Sequence, residues 1–163
     1  MPISPLNIEQ LKEQAALIKS KIITSVVVIG TYSPTNPTQE EDARKILSKE
    51  LGAGYDVSCS HAVGRLGFLE RENASILNAS LRRFARHVIK GFTHAVRRLG
   101  GKPKLYITLN DGTLSTARTA ADYPVRCFSS GPTNSARGAA LLARTQWQSS
   151  TDDREVLVVD VGG

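Results

Sequence analysis

At 163 residues the chain can build a domain with its own core, and its 40% hydrophobic and 22% charged content is ordinary for a globular protein. Two distant cysteines, Cys59 and Cys127, exclude a disulfide framework and a CxxC metal pair. A net charge of +6 keeps a nucleic-acid partner in view, while no apolar run approaches the ~20 residues of a membrane span. Met1-Pro2-Ile3-Ser4-Pro5 has neither the basic nor the apolar region of a signal peptide, so the chain reads as cytoplasmic.

Asn7 is placed to cap a helix that runs to about Lys19, with Ile8, Leu11, Ala15 and Ile18 as its apolar stripe. Ile22 to Gly30 is a continuous apolar run and reads as a strand buried on both faces, the kind found in parallel sheets. Residues 31–37 carry two prolines and form a loop. Thr38 and Glu41 have capping-box spacing for a helix with Ala43, Ile46, Leu47 and Leu51 on its buried face, closed by Gly52 and Gly54. Asp56 to Ser60 is the next strand.

The longest periodic stretch is 69–99, where Leu77, Leu81, Phe84, Val88, Phe92, Val96 and Leu99 recur every three or four residues. Leu81, Phe84 and Val88 are the expected core of that helix, and Gly100-Gly101 with Pro103 ends it. A strand at Lys104 to Leu109, a turn at Asn110-Asp111-Gly112, a short helix near Thr116 to Asp122 and a strand at Val125 to Ser129 follow. Ser130 to Ser135 reads as a tight turn into a helix over Ala136 to Arg144. A polar loop from Gln146 to Glu155 leads to a last buried strand, Val156 to Val161, ending in Gly162-Gly163. Alternating strands and helices predict an α/β fold with a mostly parallel sheet.

Three small-residue turns at strand ends carry the functional signal. Asp160-Val161-Gly162-Gly163 lets backbone N–H groups approach a phosphate, with the Asp beside a metal. Asp111-Gly112 and Ser130-Gly131 also follow predicted strands, where α/β sheets bind ligands, and Ser130 leads into a helix N-terminus that favours an anion. His61 follows a strand and reads as a ligand, a base or a hydrogen-bonded structural residue. His87 and His94 lie seven apart on the long helix, too far for a one-turn metal pair. Arg82, Arg83, Arg86, Lys90, Arg97 and Arg98 lie largely off its apolar stripe and read as a solvated face, without the aromatics of a nucleic-acid reader.

The stretches Gly30-Thr-Tyr-Ser-Pro-Thr-Asn-Pro37, Ser60-His61, Leu69-Glu-Arg-Glu-Asn-Ala-Ser-Ile-Leu-Asn-Ala79, Asn110-Asp-Gly-Thr113, Tyr123-Pro-Val125, Ser130-Gly-Pro-Thr-Asn-Ser135 and Val159-Asp-Val-Gly-Gly163 resemble, in order, motifs of the hydantoinase/5-oxoprolinase A-type proteins. The resemblance covers nearly the whole chain and is nearest the hydantoin-utilisation branch. It implies a segment of a ribonuclease-H-like, actin/sugar-kinase-type ATPase. Residues 1–68 would close the N-terminal region and 69–163 would open the hydantoinase A/oxoprolinase domain.

The implied activity is ATP-dependent opening of a cyclic amide such as hydantoin or 5-oxoproline, by phosphorylation of the carbonyl oxygen. Asp160, Gly162 and Gly163 would form a phosphate loop, with Ser130, Gly131, Asp111 and Gly112 near the active crevice and His61 a crevice residue. ATP and a divalent metal such as Mg2+ would be the cofactors, and a B-type subunit or domain the partner. At Thr38-Gln39-Glu40 the family pattern is Glu-His-Glu, and Gln39 cannot ligate a metal as His does. On this resemblance the chain is an internal fragment, inactive alone. A non-catalytic interaction protein and a basic nucleic-acid binder are the rival expectations.

Overall fold

The computed structural model describes residues 4–100, 104–146, 155 and 157–161. The chain divides into two compact units, Met1–Arg83 and Phe84–Gly163.

The first unit alternates helix and strand as the sequence predicts. Helix α1 (Ile8–Lys19) starts at Asn7, whose side-chain oxygen accepts from Gln10 N. Strands β1 (Ser25–Val28) and β2 (Asp56–Cys59) pair in parallel, Val26 opposite Val57 and Val28 opposite Cys59. Helix α2 (Thr38–Leu51) connects them, as a parallel pair requires. Ala15 of α1 and Leu47 and Leu51 of α2 are buried together, and Leu11, Ile18, Val26, Val28, Tyr55 and Val57 pack against them.

Three expectations change here. The first strand is four residues long and half-buried, and Ile22 is 104% exposed, so β1 is not covered on both faces among the described residues. It has one ladder partner among the described residues, and an apolar run without a second stays a short edge strand. The Thr38–Glu41 capping box does not form. Pro37 is the N-cap and offers no side-chain acceptor, and Asn36 Oδ1 instead accepts from Thr38 N at 3.2 Å. Third, the long helix α3 (Phe68–Arg98) buries Arg71, Ser75, Asn78 and Ala79. Leu81 and Val88 are half-buried, and Phe84 is 68% exposed. The 3.6-residue period was legible, but burial follows a neighbouring face, because polar partners are waiting for Arg71.

The second unit holds a hairpin rather than parallel strands. β3 (Tyr106–Thr108) and β4 (Leu114–Thr116) are antiparallel. Leu109 N donates to Thr113 O, and Gly112 takes a φ of +78°, which an L side chain resists. The turn is too short for a parallel crossover. The mostly parallel sheet therefore gives way to a mixed α/β architecture with one small parallel pair among the described residues. Helix α4 (Ala117–Asp122) follows, capped by Thr116 Oγ1 on Thr119 N.

The strand expected at Val125 to Ser129 is replaced by a short 3-10 turn, Pro124–Arg126, and a bend. Cys127 N and Phe128 N both donate to Pro124 O, a local bonding that competes with a ladder. Helix α5 (Ser130–Gln146) begins at Ser130, six residues before the predicted start. Pro132 falls in its first turn, where no N–H is needed. Residues 157–161 form no strand, and Leu157 and Val161 are each 90% exposed. Their backbone has no ladder partner among the described residues, and an apolar run alone cannot supply one. Val156, Gly162 and Gly163, and most of the loop expected over Gln146 to Glu155, lie outside the described residues.

Burial separates two substitutions that the period alone would equate. Leu47→Ala is expected to cost about 2–5 kcal/mol, and Phe84→Ala no more than about 0.5 kcal/mol. Chemical denaturation of both variants checks this, and equal losses would return Phe84 to the core.

Candidate functional site

Parallel strands end at one edge, so Gly30 after β1 and Ser60 and His61 after β2 lie together there. The first turn of α2 brings Glu40 to that edge, and the first turn of α3 brings Arg71. Glu40 is buried. Its Oε1 accepts from Gly30 N at 2.6 Å and Ser60 Oγ at 2.6 Å, and its Oε2 accepts from His61 N at 3.0 Å and His61 Nδ1 at 2.7 Å. Burial alone would raise the Glu40 carboxyl. The hydrogen bonds from Ser60, from the His61 and Gly30 backbone and from the His61 ring outweigh it and hold the carboxyl below its usual range.

Arg71 is the cation of the same cluster, 1% exposed. Its Nε donates to Ser60 Oγ at 3.0 Å, Nη1 to Arg65 O at 2.8 Å, and Nη2 to Gly30 O at 2.7 Å and Thr31 O at 3.2 Å. Phe68 stacks against its guanidinium, 5.5 Å from ring centroid to Cζ. Gly64 makes the approach possible, because a Cβ there would meet Arg71 Cγ at 3.0 Å and Cβ at 3.2 Å. Ser33 Oγ closes the network on Gly30 O. Three stretches singled out in the sequence, at 30–37, 60–61 and 69–79, thus meet in one buried polar cluster.

His61 was singled out and sits in it, with Nδ1 on Glu40 and Nε2 3.4 Å from Glu41 Oε1. Glu40 and Arg71 were not singled out. A signal existed for Arg71: with Ser75 and Asn78 it makes a polar stripe at steps of four and three on one helix face. Gln39 turns away and donates to Ser4 O. Cys59 is buried, its Sγ donates to Glu40 O at 3.5 Å, and desolvation first, then Glu41 and Glu40, push its thiol up to about 12.

In the second unit the Asn110–Thr113 turn and the first turn of α5 meet. Thr133 Oγ1 donates to Asn110 O at 2.6 Å, and Ser129 N donates to Asn110 Oδ1 at 3.0 Å. Asp111 is exposed. The Thr113 hydroxyl and N–H lower its carboxyl, and Arg137 adds to the effect. Arg137 Nη1 donates to Gly112 O, and a Cβ at Gly131 would meet nothing within 4 Å beyond its chain neighbours and its own helix backbone among the described residues. The turn that carries Asp111 and Gly112 is therefore joined to the start of the helix that carries Ser130 and Gly131. Asp160 is exposed and has no hydrogen bond or ion pair among the described residues, and Gly162 and Gly163 lie outside them.

A mixed α/β chain with a polar cluster at a parallel strand edge, and a pair of small-residue turns, is the class of protein that the fold and sites define. Comparison gives the family. The hydantoinase/oxoprolinase family matches residues 71–163, and its N-terminal region matches 1–51. The chain belongs to this family. It is 30% identical over 162 residues to an uncharacterised protein of Methanocaldococcus jannaschii, covering 99% of this chain and 23% of that one. It is 27% identical over 168 residues to the acetophenone carboxylase gamma subunit of Aromatoleum aromaticum, covering 99% and 22%. The chain thus spans less than a quarter of the length of these relatives. No helix among the described residues is long and apolar enough to cross a membrane.

The cluster makes a stability prediction. Arg71→Met keeps the stem but strips the donors from Ser60 and from the carbonyls of Gly30, Thr31, Arg65 and, at 3.4 Å, Leu66, and should cost about 3–5 kcal/mol. Glu40 has a lowered folded pKa, so its contribution is present above the unfolded carboxyl value and is lost as pH falls through the folded one. Denaturation midpoints between pH 7 and pH 3 should fall for the native protein and fall less for Glu40→Gln. Parallel acid limbs in the two would remove Glu40 from the cluster's energetics.

Proposed function

We propose that the chain works as part of an ATP-dependent cyclic-amide hydrolase, a segment of a ribonuclease-H-like, actin-type ATPase that opens a hydantoin or 5-oxoproline-like ring. The observation that supports this beyond family membership is the meeting of the Asn110–Thr113 turn with the first turn of α5. Two stretches far apart in sequence are tied backbone to side chain, with Gly131 open and the Arg137 cation alongside.

These residues fit a phosphate. Ser130 and Gly131 open a helix of 17 residues, and Arg137 would balance negative charge. Asp111, held ionised by Thr113, and the exposed Asp160 are carboxylates suited to an Mg2+ ion. ATP would supply the phosphoryl group that makes the amide carbon electrophilic. The chain's own part is to position the phosphates and to offset their charge. A B-type subunit or domain is the proposed partner, and the cytoplasm the proposed compartment.

A second reading is favoured by the likeness to the acetophenone carboxylase gamma subunit. There the activated substrate would be a ketone, and the acceptor step a carboxylation. The two share the phosphate-handling residues and differ in what stimulates ATP hydrolysis.

The test uses a polypeptide of the family's full length. Hydantoin or 5-oxoproline should stimulate ATP hydrolysis, and Asp160→Asn should lower the stimulated rate roughly 10²–10³-fold with melting temperature unchanged. Stimulation by acetophenone with bicarbonate, and by neither amide, would select the carboxylase reading. Asp160→Asn turnover within a fewfold of the parent would remove Asp160 from the phosphate site.

A further inference from the structure

Glu40 accepts two hydrogen bonds on each carboxylate oxygen. An ionised carboxylate can only accept, so the His61 nitrogen that faces it, Nδ1, must be the donor. In the neutral ring this leaves the lone pair on Nε2. That atom lies 3.4 Å from Glu41 Oε1. Glu41 is itself anchored from behind, because Arg44 Nε and Nη2 both donate to its other oxygen, at 2.9 Å and 2.6 Å. In the neutral ring two acceptor atoms are therefore held face to face, each fixed by a partner on its far side. In that tautomer the pair repels unless a proton or a metal cation lies between them.

The separation suits a metal ion. Bonds of ~2.0–2.1 Å in a tetrahedral site place neighbouring ligand atoms ~3.3–3.4 Å apart. A carboxylate accepting from the ring's other nitrogen is the support that metal-ligating histidines use to fix tautomer and orientation. His61 and Glu41 side chains are 20% and 33% exposed, so solvent reaches the gap.

We propose that His61 Nε2 and Glu41 Oε1 are two ligands of a site for a divalent cation of the zinc or cobalt type, with Glu40 as the outer carboxylate. The spacing of atoms alone would name a different set, since Glu40, Cys59 and His61 offer ligand atoms within 4.8 Å of one another. Chemistry separates the two sets. The Glu40 oxygens are filled by four donors, and Cys59 is a buried thiol bonded to Glu40 O, whereas a metal needs the thiolate. The two protein ligands leave the remaining positions to water or to an oxygen of a bound molecule. The proposal is independent of the cyclic-amide reading, because its ligands belong to the strand-edge cluster of the first unit.

The experiment titrates the chelator-treated chain with Co2+ and follows the visible absorbance of the bound ion, with Zn2+ as competitor. One equivalent should bind and be displaced by Zn2+. Glu41→Gln and His61→Gln should each weaken binding at least about tenfold, while Cys59→Ser and the His87→Gln/His94→Gln double variant should leave it unchanged. Glu41→Gln alters a partly exposed side chain outside the buried Glu40–Arg71 network, so it carries the test even if His61→Gln unfolds. No binding by millimolar Co2+, or binding that survives Glu41→Gln, overturns the proposal and leaves His61 as an ion-pair residue. Loss of binding in Cys59→Ser with a sulfur-to-cobalt charge-transfer band overturns it in favour of the thiolate set.

Discussion

The first unit depends on one hydroxyl. Ser60 Oγ donates to the buried Glu40 carboxylate and accepts from the buried Arg71 guanidinium, so the two charges meet through a shared atom. An isolated charge of either sign would be costly to bury. Here every oxygen of Glu40 is filled, and Arg71 spends its remaining N–H groups on the carbonyls that end β1 and on the loop before α3. A network satisfied to this degree can hold a backbone in one geometry, whereas a half-satisfied one would cost more than an apolar core. The apolar cluster around Ala15, Leu47 and Leu51 packs the helices, but the polar cluster decides where the β1 and β2 ends, α2 and α3 meet.

That division of labour explains what the sequence revealed. Elements whose identity rests on local signals were legible: α1 from Asn7 and its stripe, α2 from its apolar face, α3 from its period, and the turn at Asn110 to Gly112 from its residue types. Elements that need a partner were not. An apolar run such as Ile22 to Gly30 or Val156 to Val161 states that a segment favours burial, but its length as a strand is set by what pairs with it. Val125 to Ser129 fails differently, since Pro124 gathers the local N–H groups before a ladder can form.

The site shows the same limit. His61, Asp111 and Ser130 stand out because each follows a predicted strand. Arg71 and Glu40 carry more of the geometry and did not stand out, because charged residues on helices usually face water. Only a partner 20 residues away in sequence, Ser60, makes Glu40 a buried anion. The face of α3 that the apolar period marks is left largely uncovered, with Leu77, Phe84 and Phe92 exposed, while the polar stripe is buried. Hydrophobic periodicity reports a helix reliably and its buried face only when apolar packing is what holds that helix.

The two clusters differ in what they leave open, and this assigns them different work. The strand-edge cluster of the first unit is closed: its carboxylate, hydroxyl and guanidinium bond one another, and His61 Nε2 alone of the ring's nitrogens points away from it, 3.4 Å from Glu41 Oε1. A closed network positions, and it binds only where one valence is left over. The turns of the second unit are the reverse. Asn110 and Thr133 tie them together, while Gly131, Asp111 and the Arg137 side chain remain at the surface. An exposed cation beside a bonded turn and a helix start is suited to take up and release an anion. On the two proposals above, a negatively charged ligand would therefore belong at the second unit's turns, and a small cation at the histidine that the first unit holds still.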